Sequence, residues 1–123
     1  MELESVFKKV LDSSFTVHST LGPGLLESAY EECLYYDISN SGLKVCKQKP
    51  LPLVYKEIKL DAGYRVDLLV EEQVIVEIKS IEAINDIHIA QVLTYMKLSG
   101  CKLGLLVNFN VLHLKEGIKR LIL

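Results

Sequence analysis

The sequence predicts an α/β fold in which helices flank a central mixed β-sheet. Apolar residues recur at helical spacing over the first 40 positions, and they alternate with charged residues between positions 64 and 79. A continuous apolar segment then follows a regular helical stretch near the carboxyl end. The order of two helices, strands, a helix and a strand is typical of an α/β sandwich. With 123 residues, half of them hydrophobic, we expect residues 1–123 to form a single domain.

The first two predicted elements form an amino-terminal helical pair. Residues 3–21 carry apolar side chains at helical spacing, and Gly22 followed by Pro23 predicts the end of this helix. A second helix is predicted from about residue 25 to residue 40. Glu27 would then lie in the first turn of that helix, where the helix dipole favours a negative charge.

Extended structure is predicted after the helical pair, over residues 45–47 and 51–55. Pro50 and Pro52 cannot donate main-chain hydrogen bonds, so they favour an edge or bulged position in the sheet.

The centre of the chain predicts a β-hairpin whose two faces differ in chemistry. One face is apolar and comprises Tyr64, Val66, Leu68, Val70, Val74, Val76 and Ile78. The other face carries the charged residues Arg65, Asp67, Glu77 and Lys79. A three-residue connection over 71–73 would pair Val70 with Val74, and a two-residue loop would bury acids among valines. The longer loop places Asp67 opposite Glu77, at about 4.5–5.5 Å between Cβ atoms.

The remaining elements are a helix over residues 82–98 and a strand over residues 103–107. The strand is apolar throughout, which predicts that helices cover both of its faces. A short strand near residues 118–122 is the best interpretation of the tail.

Charge is distributed in blocks along the chain, although the net charge is only −2. Residues 1–43 carry seven acids and two bases, and residues 44–66 carry two acids and six bases. Residues 67–86 carry six acids and one base, and residues 87–123 carry one acid and five bases. This alternation could place a basic rim around an acidic centre, or it could be an ordinary mixed-charge surface.

Cysteine content and hydropathy favour a cytoplasmic protein. The three cysteines are odd in number and share no metal-ligand spacing, which predicts free thiols in a reducing compartment. No apolar run approaches the roughly 18 residues of a membrane span. The acidic amino terminus is unlike a secretory signal, so we expect no membrane association.

An acidic pair followed by lysine, an upstream helical Glu and a downstream Gln resemble the PD-(D/E)XK nuclease superfamily. The resemblance is closer still to the GxxExxY protein family within it, whose name is spelled by Gly24, Glu27 and Tyr30. Further blocks match that family in order along nearly the whole chain: 17–18, 21–24, 65–68, 76–79, 88–95 and 104–109. Val66 departs from the pattern, because the superfamily name has proline there.

The resemblance implies a restriction-endonuclease-like core that holds a divalent metal. Asp67 and Glu77 would bind Mg²⁺, with Mn²⁺ as a substitute, and the main-chain carbonyl of Ile78 would be a further hard-oxygen ligand. Glu27 would complete the acidic site from its helix. Independently of the family, three carboxylates and Lys79 leave about −2 of charge, which one divalent ion would balance.

The resemblance also implies roles for the polar neighbours of the metal. Lys79 would orient or help to deprotonate the attacking water, and Gln91 would position the phosphate or the water. Without the family pattern, the pair of acids and Lys79 would be a solvated sheet face with a cross-strand salt bridge. Gln91 would then be a satisfied buried amide.

Candidate contacts to nucleic acid are Tyr30, Lys47, Lys49, Lys56 and His88. For Tyr30 the alternative is a helix-packing aromatic residue, and for His88 it is a hydrogen-bonded residue at the edge of the core. The function predicted is metal-dependent hydrolysis of phosphodiester bonds in DNA. The alternatives are a non-catalytic module that binds nucleic acid or protein, and a nuclease that cuts RNA. By analogy with the fold, a homodimer would present two sites to a duplex.

Overall fold

The computed structural model describes all residues from 1 to 123. Its elements are α1 Leu3–Leu21, α2 Glu27–Asn40, β1 Val45–Pro50, β2 Leu53–Tyr55, β3 Ile58–Leu60, β4 Arg65–Val70, β5 Val74–Lys79, α3 Asp86–Ser99, β6 Leu103–Asn108, a short 3₁₀ helix Leu114–Gly117 and β7 Ile118–Ile122. The amino-terminal helical pair, the hairpin, the third helix and the last two strands are therefore confirmed.

Five strands form one mixed sheet in the order β1-β4-β5-β6-β7. Strands β5 and β6 are parallel, and every other neighbouring pair is antiparallel. Parallel neighbours require a crossover connection, and α3 supplies it. Strand β1 lies at an edge of the sheet, as the prolines predict. The architecture confirms the predicted α/β class.

Helices cover both faces of the sheet and enclose two hydrophobic clusters. The larger cluster holds 18 buried residues and joins α1 and α2 to one face. The smaller cluster holds eight buried residues and joins α3 to the opposite face. Strands β5 and β6 are buried along almost their whole length because they contribute to both clusters.

The predicted register of the central hairpin is confirmed, because Val70 pairs with Val74 across the three-residue connection. The predicted apolar face is wrong at its beginning. Val66 belongs to the cluster beneath α3, and Tyr64 is exposed on that same side, near the ring of Tyr95. The strand changes faces beside Gln48, an edge-strand residue with φ of +53° that interrupts the β1–β4 pairing.

The third helix begins at Asp86, four residues later than predicted, because Asn85 caps it. The Asn85 side chain accepts hydrogen bonds from the main-chain N–H groups of Ile87 and His88, at 3.0 and 3.2 Å. Nδ1 of His88 accepts the N–H of Asn85 in return, at 3.0 Å. This reciprocal capping box fixes where the helix starts.

Strands β2 and β3 form a separate two-stranded hairpin that the sequence did not predict. The predicted extended segment at 51–55 supplies only its first strand. None of the three helices is long and apolar enough to cross a lipid bilayer.

Candidate active site

The candidate site begins where strands β4 and β5 separate. Their main-chain pairing ends at Leu68 and Val76. One residue further along, Oδ2 of Asp67 accepts the main-chain N–H of Ile78 at 2.8 Å. The Asp67 side chain thus takes the place of a main-chain partner for this N–H group, and a gap separates the two backbones. The N–H and C=O of one strand residue point to the same neighbour, so the Ile78 carbonyl also faces this gap.

Glu77 lies beside Asp67 on the sheet face that α3 covers. It is only 4 % exposed, and its Oε1 atom is buried without a hydrogen-bond partner. Burial, followed by the negative charge of Asp67, raises the pKa of Glu77 to about 9, and Lys79 offsets part of this rise. An unpaired buried oxygen costs roughly 1–3 kcal/mol. A cation at this position would remove that penalty.

The carboxylate of Glu31 is linked to that of Asp67 through the side-chain amide of Gln48. Nε2 of Gln48 donates hydrogen bonds to Oε1 of Glu31, at 2.6 Å, and to Oδ1 of Asp67, at 3.3 Å. Burial raises the pKa of Glu31, the hydrogen bond from Gln48 lowers it, and the charge of Asp67 raises it further. Neither Glu31 nor Gln48 was predicted to belong to the site. A helical spacing of four residues from Glu27 was the available signal for Glu31.

Lys79 is half-buried at the end of β5, and its ammonium group forms no salt bridge or hydrogen bond. It shares a sheet face with Glu77, because residues two apart on a strand point the same way. The main chain here is fixed by β6, since the Lys79 carbonyl accepts the N–H of Phe109 at 2.9 Å. The ammonium is therefore a free cation on a rigid strand.

Glu27 lies at the start of α2, as predicted, near the end of β5. Its Oε2 atom accepts the main-chain N–H of Ser80 at 3.3 Å, and the Ser80 hydroxyl donates to the carbonyl of Leu25 at 2.6 Å. No three residues of the types His, Cys, Asp and Glu are grouped closely enough to hold a metal ion. The structure thus brings Asp67 and Glu77 together, and it does not assemble Glu27 with them.

Gln91 is exposed on α3 and makes no side-chain hydrogen bond, so the buried-amide alternative is wrong.

One turn later on the helix, Tyr95 borders the acidic pair. Its ring centroid lies 6.2 Å from that of Tyr64, and burial followed by the charge of Glu77 raises the pKa of its hydroxyl. Tyr95 was not among the predicted site residues, although it ends the matching block 88–95.

The structure supports the helix-packing alternative for Tyr30 over the predicted contact with nucleic acid. Its side chain is fully buried, and its ring stacks on Phe109 at a centroid distance of 4.5 Å. The hydroxyl donates to the Gly22 carbonyl at 2.5 Å and accepts the N–H of Leu25 at 3.1 Å. Tyr30 therefore anchors the loop before α2, which fixes where Glu27 emerges.

The other residues predicted to contact nucleic acid differ in whether their side chains already have bonding partners within the protein. Lys47 is paired with Glu32 at 2.7 Å, whereas Lys49 and Lys56 are exposed and form no salt bridge. His88 uses Nδ1 to cap α3, which supports the structural alternative for this residue. The free lysines therefore lie beyond Lys47, toward the separate hairpin.

A mixed sheet with covering helices, carrying an Asp and a Glu-x-Lys where two central strands separate, defines a restriction-endonuclease-like α/β fold. A family model described as PD-(D/E)XK nuclease superfamily matches residues 4–121. The chain therefore belongs to the PD-(D/E)XK nuclease superfamily. Comparisons with curated proteins and with solved structures found no match. Superfamily membership implies a nucleic-acid substrate, and these nucleases generally use divalent metals.

The residues at the gap fit a hard divalent cation. Two adjacent carboxylates, one with an oxygen that lacks a partner, and the Ile78 carbonyl are all oxygen donors. Negative charge is concentrated here at a place from which water is excluded. This concentration raises the pKa of Glu77, and it also favours a bound cation.

Proposed function

We propose that this protein is a Mg²⁺-dependent nuclease that hydrolyses phosphodiester bonds in DNA. The observation that carries this proposal is the buried Glu77 carboxylate, whose unpartnered oxygen lies beside Asp67 where β4 and β5 separate. A purely structural acid would be expected to have a hydrogen-bond partner at this depth.

Asp67, Glu77 and the carbonyl of Ile78 would hold the Mg²⁺, and Mn²⁺ would substitute for it. When bound, the ion supplies a water of lowered pKa and neutralises charge that develops on the phosphate. The hydrogen bond from the Ile78 N–H keeps Asp67 oriented toward the gap. Helix α3 excludes water from Glu77 and so strengthens its attraction for a cation.

Lys79 would bind the scissile phosphate and orient the attacking water through its N–H donors, because its ammonium is free and faces the same side as Glu77. Gln91 would contact the phosphate from the exposed surface of α3. Glu27, held by Ser80 at the end of β5, would bind a water ligand of the metal rather than the metal itself. Tyr95 would close the apolar side of the site.

The test is cleavage of linear and branched DNA by purified protein in Mg²⁺ or Mn²⁺. We expect Asp67→Ala, Glu77→Gln and Lys79→Ala each to reduce cutting by at least about 100-fold, the scale typical of losing one catalytic group. Matched controls are Glu116→Gln and Lys102→Ala, which change exposed residues outside the site. Cutting that survives the substitutions at 67 and 79 unchanged would show that the assigned centre is wrong.

A non-catalytic module that binds nucleic acid or protein is the second candidate. It is favoured by the absence of any grouping of three acidic or histidine side chains around one point. Calorimetric titration with Mg²⁺ separates the two, because only a nuclease needs metal affinity that depends on Glu77. Heat of binding that Glu77→Gln removes supports the nuclease, and no heat in either protein supports the module.

Finer assignments rest on the same proposal. We infer that the chain is a GxxExxY protein, that residues 1–123 act as one domain, and that DNA rather than RNA is cut. The three free cysteines support a cytoplasmic location. A homodimer would present two sites to a duplex, and sedimentation of the protein with and without DNA tests this.

A further inference from the structure

Residues 51–64, which we call the arm, leave the sheet beside the candidate site. Strands β2 and β3 pair only with each other within the arm. Its base is closed by a hydrogen bond from the N–H of Leu51 to the carbonyl of Tyr64, at 2.9 Å. A lone two-stranded hairpin is marginally stable in water. Such a structure is stabilised when a partner covers one of its faces.

One face of the arm is apolar and exposed. Tyr55 pairs with Ile58, and Leu53 pairs with Leu60, so these four side chains share a face. Tyr55 is 59 % exposed, and Ile58 and Leu60 are exposed as well. Neighbouring exposed apolar side chains of this kind mark binding surfaces.

Positive charge lies next to that face at Lys56. Lys49, Lys56 and Lys59 form no salt bridge. The arm itself carries two bases and two acids, and the excess of bases in segment 44–66 lies at the base of the arm. Nζ of Lys56 lies 5.3 Å from the ring centroid of Tyr55. A partner that matches Tyr55, the adjacent Lys56 and the basic base of the arm offers flat apolar faces together with negative charge. Nucleic acid with unpaired bases has both properties.

The base of the arm borders the candidate active site. Tyr64 ends the arm, and its ring lies 6.2 Å from that of Tyr95, which borders the acidic pair. Asp67 follows only three residues after Tyr64, on the strand that begins at Arg65. A DNA strand that runs from the arm past Tyr64 would therefore come close to Asp67 and Glu77.

We propose that the arm binds the unpaired bases of single-stranded DNA next to the bond to be cut, with Tyr55 stacking on a base. This inference rests on the proposed function, since it assigns the substrate class to the same site. An intact duplex hides its base faces, so the arm favours single-stranded, frayed or branched substrates. The lysines of the arm bind phosphates and contribute no sequence preference.

Fluorescence anisotropy tests this with a labelled single strand of about 16 nucleotides, compared with the matching duplex, in EDTA to prevent cutting. We expect Tyr55→Ala to weaken single-strand binding about tenfold, and Tyr55→Phe to retain binding within about twofold. The matched control is Tyr36→Ala, because Tyr36 is 66 % exposed on α2, outside the arm. The double variant Lys56→Ala, Lys59→Ala should lower the salt dependence of binding, by up to about 1.4 in logarithmic slope.

Equal affinity of wild type and Tyr55→Ala for the single strand would overturn the proposal, as would tighter binding of the duplex. A dimer in sedimentation that Tyr55→Ala dissociates would also overturn it, because the arm would then bind a second copy of the chain. The two proposals fail separately. Arm-dependent binding without any cutting in Mg²⁺ refutes only the nuclease activity, and cutting with binding unaffected by Tyr55→Ala refutes only the arm.

Discussion

The two faces of the central sheet differ in the kinds of side chain that they bury. The face beneath α1 and α2 is covered by 18 buried apolar residues, whereas the face beneath α3 has eight and also buries the Glu77 carboxylate. Strand β5 contributes to both faces, since its side chains alternate across the sheet. The residues of β5 that face α1 and α2 thus stabilise the fold, and the residues that alternate with them toward α3 include the charged ones.

The largest expected effect is on the apolar face. Replacing Tyr30 by alanine removes a buried ring stacked on Phe109 and should lower the free energy of unfolding by about 3–5 kcal/mol, as for other large aromatic truncations. Urea denaturation measures this. Tyr30→Phe keeps the ring and loses only the hydroxyl that holds Gly22, so it should cost about 1 kcal/mol. A loss below 1 kcal/mol in Tyr30→Ala, with weaker DNA binding, would restore the nucleic-acid role.

The second effect is on the face beneath α3 and depends on pH. The pKa of Glu77 in the folded protein is about 9, above its ordinary value of 4.5, so the folded state binds more protons than the unfolded state between these values. Stability contributed by protonated Glu77 is then complete below about pH 4.5 and is lost as the pH rises toward 9. Denaturation in EDTA should show this decline. Glu77→Gln should flatten it and stabilise the protein at pH 9 by on the order of 2 kcal/mol.

Divalent metal should reverse that decline in the wild type, because binding at the gap requires deprotonated Glu77. Mg²⁺ would then stabilise the protein more at pH 8 than at pH 6, and Glu77→Gln would show no such difference. Equal pH slopes for wild type and Glu77→Gln in EDTA would mean that Glu77 ionises normally, and the contrast between the two faces would be lost.

The smallest effect concerns the start of α3, the helix that covers Glu77. Asn85→Ala removes the cap and should lower the free energy of unfolding by about 1 kcal/mol. His88→Ala removes the reciprocal hydrogen bond and should cost less than Asn85→Ala, while DNA affinity stays unchanged. Thermal denaturation and anisotropy on the same preparations check both. A large loss of affinity with unchanged stability in His88→Ala would assign that residue to the DNA surface.

The sequence was sufficient for the fold because burial follows simple periods. The strand register at Val70 and Val74 was predictable, since any other register buries charge. The change of faces at Asp67 was not, because no alternation in the sequence signals it; in the structure it lies opposite Gln48, a residue of a different strand with a positive φ. The separate hairpin of the arm was also missed, since three-residue strands are too short to show a clear alternation.

The candidate site was predictable only in part. Asp67, Glu77 and Lys79 were predicted to share one face. In the structure Asp67 is a neighbour of Glu77, and its side chain lies in the gap between the strands, where it accepts the N–H of Ile78. The amide link from Gln48 to Glu31 joins residues 17 positions apart, and no local pattern signals such a contact. Tyr30 was assigned to DNA because motif positions indicate importance without distinguishing an anchor from a ligand contact.

The connection between β5 and β6 has a consequence for how ions and water reach the acidic pair. Parallel neighbours force the chain to cross one side of the sheet, and here the crossing segment is α3. Because this helix lies over the sheet face that buries Glu77, we expect ions and water to reach its carboxyl group through the gap between the backbones of β4 and β5. Exchange of a bound ion would be governed by side chains at that opening, such as Gln48, more than by those of the crossover helix.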